Sequence, residues 1–295
     1  MMERQVLHPS ANAHTPRPKP KRGLLDLGFR LGDNGRSIMH RWERRAPLIV
    51  QQELYFDRNL TSLPCVYILS SGGPILSSDS FEQHFEVEQG AMAHISTGAA
   101  TKVAEMSGGE ARMESFFTLH EGAFLEYLPE PTIPCRGSRF RNLTHIAIAP
   151  SATLIMAEIY LSGRKFHGES FEFAELELHT RAKTLEGKLL FNERMILSPD
   201  FFSPRSVGVM GDYDIYGSVV VLTPPQIADQ IYENYQNLSS ETLISGLSRL
   251  PNECGLQLKL LGKSSIELKR EVRRFCSLAR LCTKQKPLPE EFCWR

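Results

Sequence analysis

The sequence predicts a mainly β protein: a stacked, superhelical or solenoid-like β-structure with a small C-terminal α/β portion containing about two helices. Apolar residues fall at every second position in short runs up to about residue 222, the period of a strand with one buried face. A turn-then-strand unit also recurs in outline, as Gln89-Gly90-Ala91-Met92-Ala93-His94-Ile95, Glu121-Gly122-Ala123-Phe124-Leu125-Glu126-Tyr127 and Pro150-Ser151-Ala152-Thr153-Leu154-Ile155-Met156. Its turn residues Gly90, Gly122 and Ser151 are 32 and 29 apart, which fits coils stacked on one another. The regular hairpins of a β-sandwich would leave a similar pattern, so spacing alone does not separate the two.

Residues 1–22 hold Pro9, Pro16, Pro18 and Pro20, few apolar side chains and the basic end Lys19-Pro20-Lys21-Arg22. Such a segment buries too little surface to offset its ordering entropy, and a disordered tail is expected. The β body, 23–222, begins where Leu25, Leu27, Phe29 and Leu31 alternate. Met113, Phe117 and Leu119 lead into Glu121-Gly122, and Phe171, Phe173, Leu176 and Leu178 read as one strand with a bulge. Val219-Val220-Val221-Leu222 reads as a fully buried strand.

The C-terminal portion, 223–295, changes period and is expected to pack on the body. Pro224-Pro225 can open a helix carrying Ile227, Ile231 and Tyr235, and the strand Leu256–Leu260 follows. Ser264 with Glu267 forms a capping box ahead of a long amphipathic helix. Leu268, Val272, Phe275, Ala279 and Cys282 line one face, with Lys269, Arg270, Arg273, Arg274 and Arg280 largely away from it. Arg270, Arg273 and Arg274 are therefore the candidate partner-binding residues.

Composition narrows the function. The first 45 residues and residues 259–295 each hold ten basic and four acidic side chains, leaving fourteen basic and twenty-six acidic in between. A neutral chain with an acidic body is a poor nucleic-acid binder, because affinity there comes from neutralising phosphates. No apolar run reaches the roughly 18 residues of a membrane span, and no secretory leader is evident. Six cysteines without a C-x-x-C pair read as reduced thiols in a cytoplasmic protein. Gly262-Lys263-Ser264 resembles the end of a phosphate loop, but its first glycine position holds Gln257. There is no G-x-S-x-G elbow and no H-E-x-x-H or H-x-H pair. With no catalytic constellation, a binding or scaffold protein is expected rather than an enzyme.

One passage is more specific. Leu125-Glu126-Tyr127-Leu128-Pro129-Glu130-Pro131-Thr132-Ile133-Pro134 puts a carboxylate at the end of an apolar strand and then stops the chain with three prolines. It resembles the LEWLPxPTI passage of the urease accessory protein UreD (UreH) family. Ser71-Gly72-Gly73-Pro74-Ile75-Leu76-Ser77-Ser78-Asp79 is similar to that family's GGxxxGD segment, with Ser77 and Ser78 in place of the glycines before the aspartate. Ser96-Thr97-Gly98-Ala99-Ala100-Thr101-Lys102-Val103 is similar to TTQAATKVY, and Glu158 followed by Gly163-Arg164 and Gly168-Glu169-Ser170-Phe171 is similar to GRxxxGExF. Pro47-Leu48 ahead of a strand also fits, and the match runs from about residue 23 to the C-terminus.

The resemblance implies a urease maturation chaperone. Acting with UreF and the GTPase UreG, it would deliver nickel to apo-urease or ease its insertion, through an internal polar passage. The alternative is a conformational scaffold for apo-urease that carries no metal itself. It implies UreF, UreG (through UreF) and the urease apoprotein as partners, room for a homodimer within the complex, and no permanently bound cofactor, only transient nickel. Asp79, Glu126, Glu158 and Glu169 stand in the family-like passages and would form the nickel path, inside a polar, anionic interior. Isolated carboxylates suit a site that must both load and release a cation. Thr97, Thr101, Lys102 and Arg164 would line that passage or pair with its acids.

Overall fold

The computed structural model describes residues 19–289. The chain enters through β1 (Arg22–Leu31), returns in β2 (Ser37–Arg45) and crosses to β3 (Leu48–Val50) and β4 (Cys65–Ser70). Three similar coils follow. The first is β5 (Ser80–Val87), β6 (Met92–Thr97) and β7 (Thr101–Val103), and the second is β8 (Ala111–Leu119), β9 (Phe124–Tyr127) and β10 (Thr132–Pro134). The third is β11 (Arg139–Ile148) and β12 (Thr153–Leu161), after which β13 (Glu175–Thr184) and β14 (Leu189–Leu197) continue. The last part comprises β15 (Ile215–Leu222), α1 (Pro225–Asn234), β16 (Leu243–Arg249), β17 (Gly255–Gly262) and α2 (Ser265–Lys284).

Two sheets and a short third wall result. The first sheet has the order β14-β13-β11-β8-β5-β1-β2, and the second β16-β17-β15-β12-β9-β6-β4-β3. Strands β5, β8 and β11 are parallel, as are β6, β9 and β12, while β7 and β10 pair in parallel to close the third side. Pairings such as Met92 with Phe124 and Phe124 with Thr153 repeat the 32 and 29 spacing read from the turns. The turns themselves stack. The Gly90 amide donates to the Glu121 carbonyl at 2.9 Å, and the Gly122 amide donates to Ser151 Oγ at 2.9 Å. Gly90 and Gly122 both hold φ near +67° (+68° and +66°), the left-handed region that glycine enters without steric cost. The stacked-coil expectation is correct.

Two cores follow from strand alternation. Between the sheets lie Leu25, Leu27, Phe29, Phe85, Phe117 and Ile146 from the first and Ile95, Leu125, Leu154 and Val220 from the second. Between the second sheet and the helices lie Phe124, Ile155, Val219 and Leu258 against Ile231, Leu268, Val272 and Phe275. Every residue of β15 is buried because this strand faces one core with Val220 and Leu222 and the other with Val219 and Val221. The C-terminal portion thus shares a sheet with the body through the β15–β17 pairing. Ser264 caps α2 by accepting the Glu267 amide, and Pro225 opens α1.

Three details differ from expectation. Leu31 ends its strand 45% exposed, beyond the sheet's cover. Phe171 and Phe173 are buried but precede β13, and Phe171 holds φ +55°, so the irregularity is a loop rather than a bulge. Arg280 lies on the buried face of α2 and not on its basic side; Asp57 supplies the compensating charge. The expected tail lies outside the described residues up to position 18, and Arg22 already belongs to β1.

Candidate functional site

The inward face of the first sheet carries a polar row across an otherwise apolar core. Gln83, Ser115, Thr144, Thr180 and Glu193 are successive cross-strand partners on β5, β8, β11, β13 and β14. The first four are buried, each in phase with inward phenylalanines, leucines or alanines of its own strand. From the second sheet, Tyr127, Glu158, Tyr160, Ser218 and Gln257 occupy the same layer: Gln257 Nε2 donates to Ser218 Oγ at 3.3 Å and also reaches Glu193. Buried polar groups are retained where they find partners, as Gln257 does in Ser218 and Glu193.

At one end the seam opens into a cavity of about 450 Å³. Its rim includes the exposed Leu69, Gly73, Pro74, Gly98, Ala99 and Lys102, and its floor holds Gln83, Met113, Tyr127, Asn142, Glu158 and Tyr160. Asn142 Nδ2 donates to Glu158 Oε1 at 2.6 Å, and Tyr160 Oη donates to the same oxygen at 2.9 Å. Burial pushes the Glu158 carboxyl above the usual carboxylate range; the two hydrogen bonds only partly oppose this, and Glu193 adds like charge. Burial also pushes the Tyr127 and Tyr160 phenols up, so both stay neutral donors at ordinary pH. Gln83 Oε1 is buried without a hydrogen-bond partner, an unmet acceptor beside the cavity.

The four sequence-predicted acids occupy four different settings. Glu158 lines the cavity together with Thr97, Thr101 and Lys102. Asp79 accepts the Lys21 and Leu76 amides at 2.7 and 2.8 Å and pairs with Lys21 Nζ at 3.1 Å, fixing the turn before β5. Glu169 is chelated by Arg164, whose guanidinium lowers its carboxyl to about 2, and it also accepts the Arg136 amide. Glu126 faces the helix layer rather than the seam. It bonds His94 Nδ1 at 2.8 Å and stands 3.6 Å from Arg280, which is bonded to Asp57. The side chains of His94, Glu126, Asp57 and Arg280 are each 2% exposed or less. Among the described residues, no group of three or more His, Cys, Asp and Glu side chains is placed to hold a metal ion.

The candidate docking helix is also resolved by residue. Arg270 is exposed, Arg274 clamps Glu271 and covers the Tyr235 ring, and Arg273 donates to the Pro289 carbonyl. No helix among the described residues is long and apolar enough to cross a membrane.

The family profile described as "UreD urease accessory protein" matches residues 21–295. The chain belongs to the UreD family. It is 41% identical over 280 residues to the urease accessory protein UreD of Photorhabdus laumondii subsp. laumondii, covering 93% of this chain and 87% of that one. Urease accessory protein UreD 3 of Methylorubrum populi is 39% identical over 280 residues (93% and 90% covered). UreD 2 of Brucella canis is 36% identical over 278 residues (93% and 92%). Membership ties the chain to urease maturation.

The UreD-like passages now have structural meanings. Ser78, standing where the family-like passage carries a glycine, holds φ +65°, a conformation glycine adopts freely. Gly98, where glutamine is usual, lets Leu69 lie over the cavity rim: a Cβ at Gly98 would fall 2.3 Å from Leu69 Cδ2. Sequence reasoning missed Gln83, Asn142, Tyr127 and Tyr160. The available signal was phase, since Gln83 sits between Phe81 and Phe85, and Asn142 two residues after Phe140, on inward positions.

Proposed function

We propose that the protein is a non-catalytic chaperone of urease maturation that acts in the cytoplasm with UreF and, through UreF, the GTPase UreG. Nickel moves toward the urease apoprotein along the seam, entering or leaving at the cavity rim, and is never held permanently. One observation carries this reading. Asp79, Glu126 and Glu169 each stand beside a cationic side chain, whereas Glu158 has only the neutral Asn142 and Tyr160 as hydrogen-bond partners. A half-buried carboxylate on a cavity floor without a countercharge is costly to ionise, and a divalent cation would relieve it. Thr97 and Thr101 offer neutral oxygens at the rim, and exposed Lys102 sets an electrostatic threshold there.

The test is co-expression of this chain with urease and its other accessory proteins, followed by nickel analysis of purified urease. Glu158→Gln keeps the shape and both hydrogen-bond donors satisfied, so the complex should assemble while urease nickel content falls about tenfold, equivalent to roughly 1.4 kcal/mol of cation affinity. Unchanged nickel content would remove the passage and leave the second reading, a scaffold that only alters apo-urease conformation. That reading draws support from the three acids engaged in fixing the fold. Exposed Arg270 on α2 is the residue by which UreF would be met, and Arg270→Glu should weaken co-purification of UreF.

A further inference from the structure

The segment from Phe124 to Thr132 is shared between two layers. Phe124 and Leu128 pack in the helix-facing core and Glu126 faces Arg280, whereas Tyr127, Pro129, Glu130 and Thr132 line the cavity. Helix α2 holds this segment at two points. Lys269 Nζ donates to both oxygens of Glu130, at 3.0 and 2.7 Å, and Arg280 approaches Glu126. The two cations are eleven residues apart, about 16 Å along a helix. The two carboxylates are four residues apart, about 13 Å along an extended chain. One rigid rod therefore spans one straight strip of cavity wall.

The inner contact is under-bonded. Arg280 Nε and Nη1 and Glu126 Oε1 are buried without hydrogen bonds, and Arg280 is fully enclosed. Its guanidinium bonds Asp57 and stops 3.6 Å short of Glu126. A displacement of under about 1 Å would bring Nη1 into hydrogen-bond range of Glu126, since such bonds form near 2.9 Å. Buried networks left partly satisfied are unstable against rearrangements that satisfy them. Arg280 thus sits between two acceptors, and small shifts of a packed helix pass between discrete arrangements rather than deforming continuously.

We propose that α2 is a lever on the cavity wall: a load on its exposed side shifts the Arg280 contact between Asp57 and Glu126 and moves the Tyr127–Glu130 strip. Its regulatory meaning rests on the passage reading above, while the mechanical coupling does not. A protein partner seated on α2 would, through this lever, reset the width of the cavity at the floor tyrosines.

The experiment is hydrogen exchange by mass spectrometry on the full chain, with Lys269→Glu, the charge-swapped pair Lys269→Glu/Glu130→Lys, and Arg280→Met. Lys269 is partly exposed, so its reversal leaves a folded protein even where Arg280→Met does not. Lys269→Glu should speed exchange at least about threefold in residues 94–102 and 125–134, with 22–45 unchanged, and the swapped pair should restore it. Acceleration confined to 265–284, or spread evenly over the chain, would overturn the lever. Measuring urease nickel content with the same variants separates the two ideas: transmitted exchange with unchanged nickel keeps the lever and removes the passage.

Discussion

Glu158 and Glu169 show how the same side chain does opposite work in two settings. Arg164 holds the Glu169 carboxyl at about 2, below the usual 4.5, so the pair stabilises the fold above about pH 4.5 and loses that contribution as pH falls toward 2. Because Arg164 stands largely in solvent, screening by water keeps that contribution small. Glu158 is raised by burial, so the folded state favours its protonated form and is destabilised as pH climbs past the usual carboxylate range. Thermal unfolding at neutral pH should therefore move in opposite directions: down for Glu169→Gln, up for Glu158→Gln. At pH 3 the difference between the two variants should shrink. Equal shifts of one sign at both pH values would contradict the assigned environments.

At the level of elements, the helix and strand boundaries follow from local chemistry, but their charges do not. The Ser264 cap and the apolar stripe of α2 are plain in the sequence, and Ser264→Ala should cost about 1 kcal/mol in chemical denaturation. Arg280 is illegible locally. It falls four residues after buried Cys276, and a lone arginine at that phase reads as solvated until Asp57, 223 residues earlier, supplies its partner. Gly255 is similar. It opens β17 with φ +144°, and a Cβ there would lie 1.9 Å from the Val221 carbonyl oxygen, a backbone atom that cannot step aside. Gly255→Ala should therefore cost about 3 kcal/mol or more, read as a lowered denaturation midpoint.

At the scale of the whole molecule, the turn spacing made the stack legible because parallel neighbours must repeat the coil length residue for residue. The cavity was less so. Its rim residues Thr97, Thr101 and Lys102 stood in a recognisable passage, but its floor is assembled from β5, β8, β11, β9 and β12, and only their stacking brings Gln83, Asn142 and Tyr127 together. The floor leans on the aromatic group Phe85, Phe117 and Tyr127, whose ring centroids lie 5.1–5.6 Å apart. Phe117→Ala should cost about 3–5 kcal/mol, and a single lowered transition by circular dichroism and tyrosine fluorescence alike would show that the two cores unfold as one.

The matched pairings also set rules for how such a chain can change length. An added residue inside β8 or β9 would throw every later side chain of that strand onto the opposite face, exchanging Tyr127 for its neighbours at the cavity and Glu126 for theirs beneath α2. Growth is tolerated only as a whole turn of the spiral or outside the ladders, as at 104–110 and 198–214. Descendants of this fold should accordingly vary in size at those two places, with the rungs between them held to a fixed count.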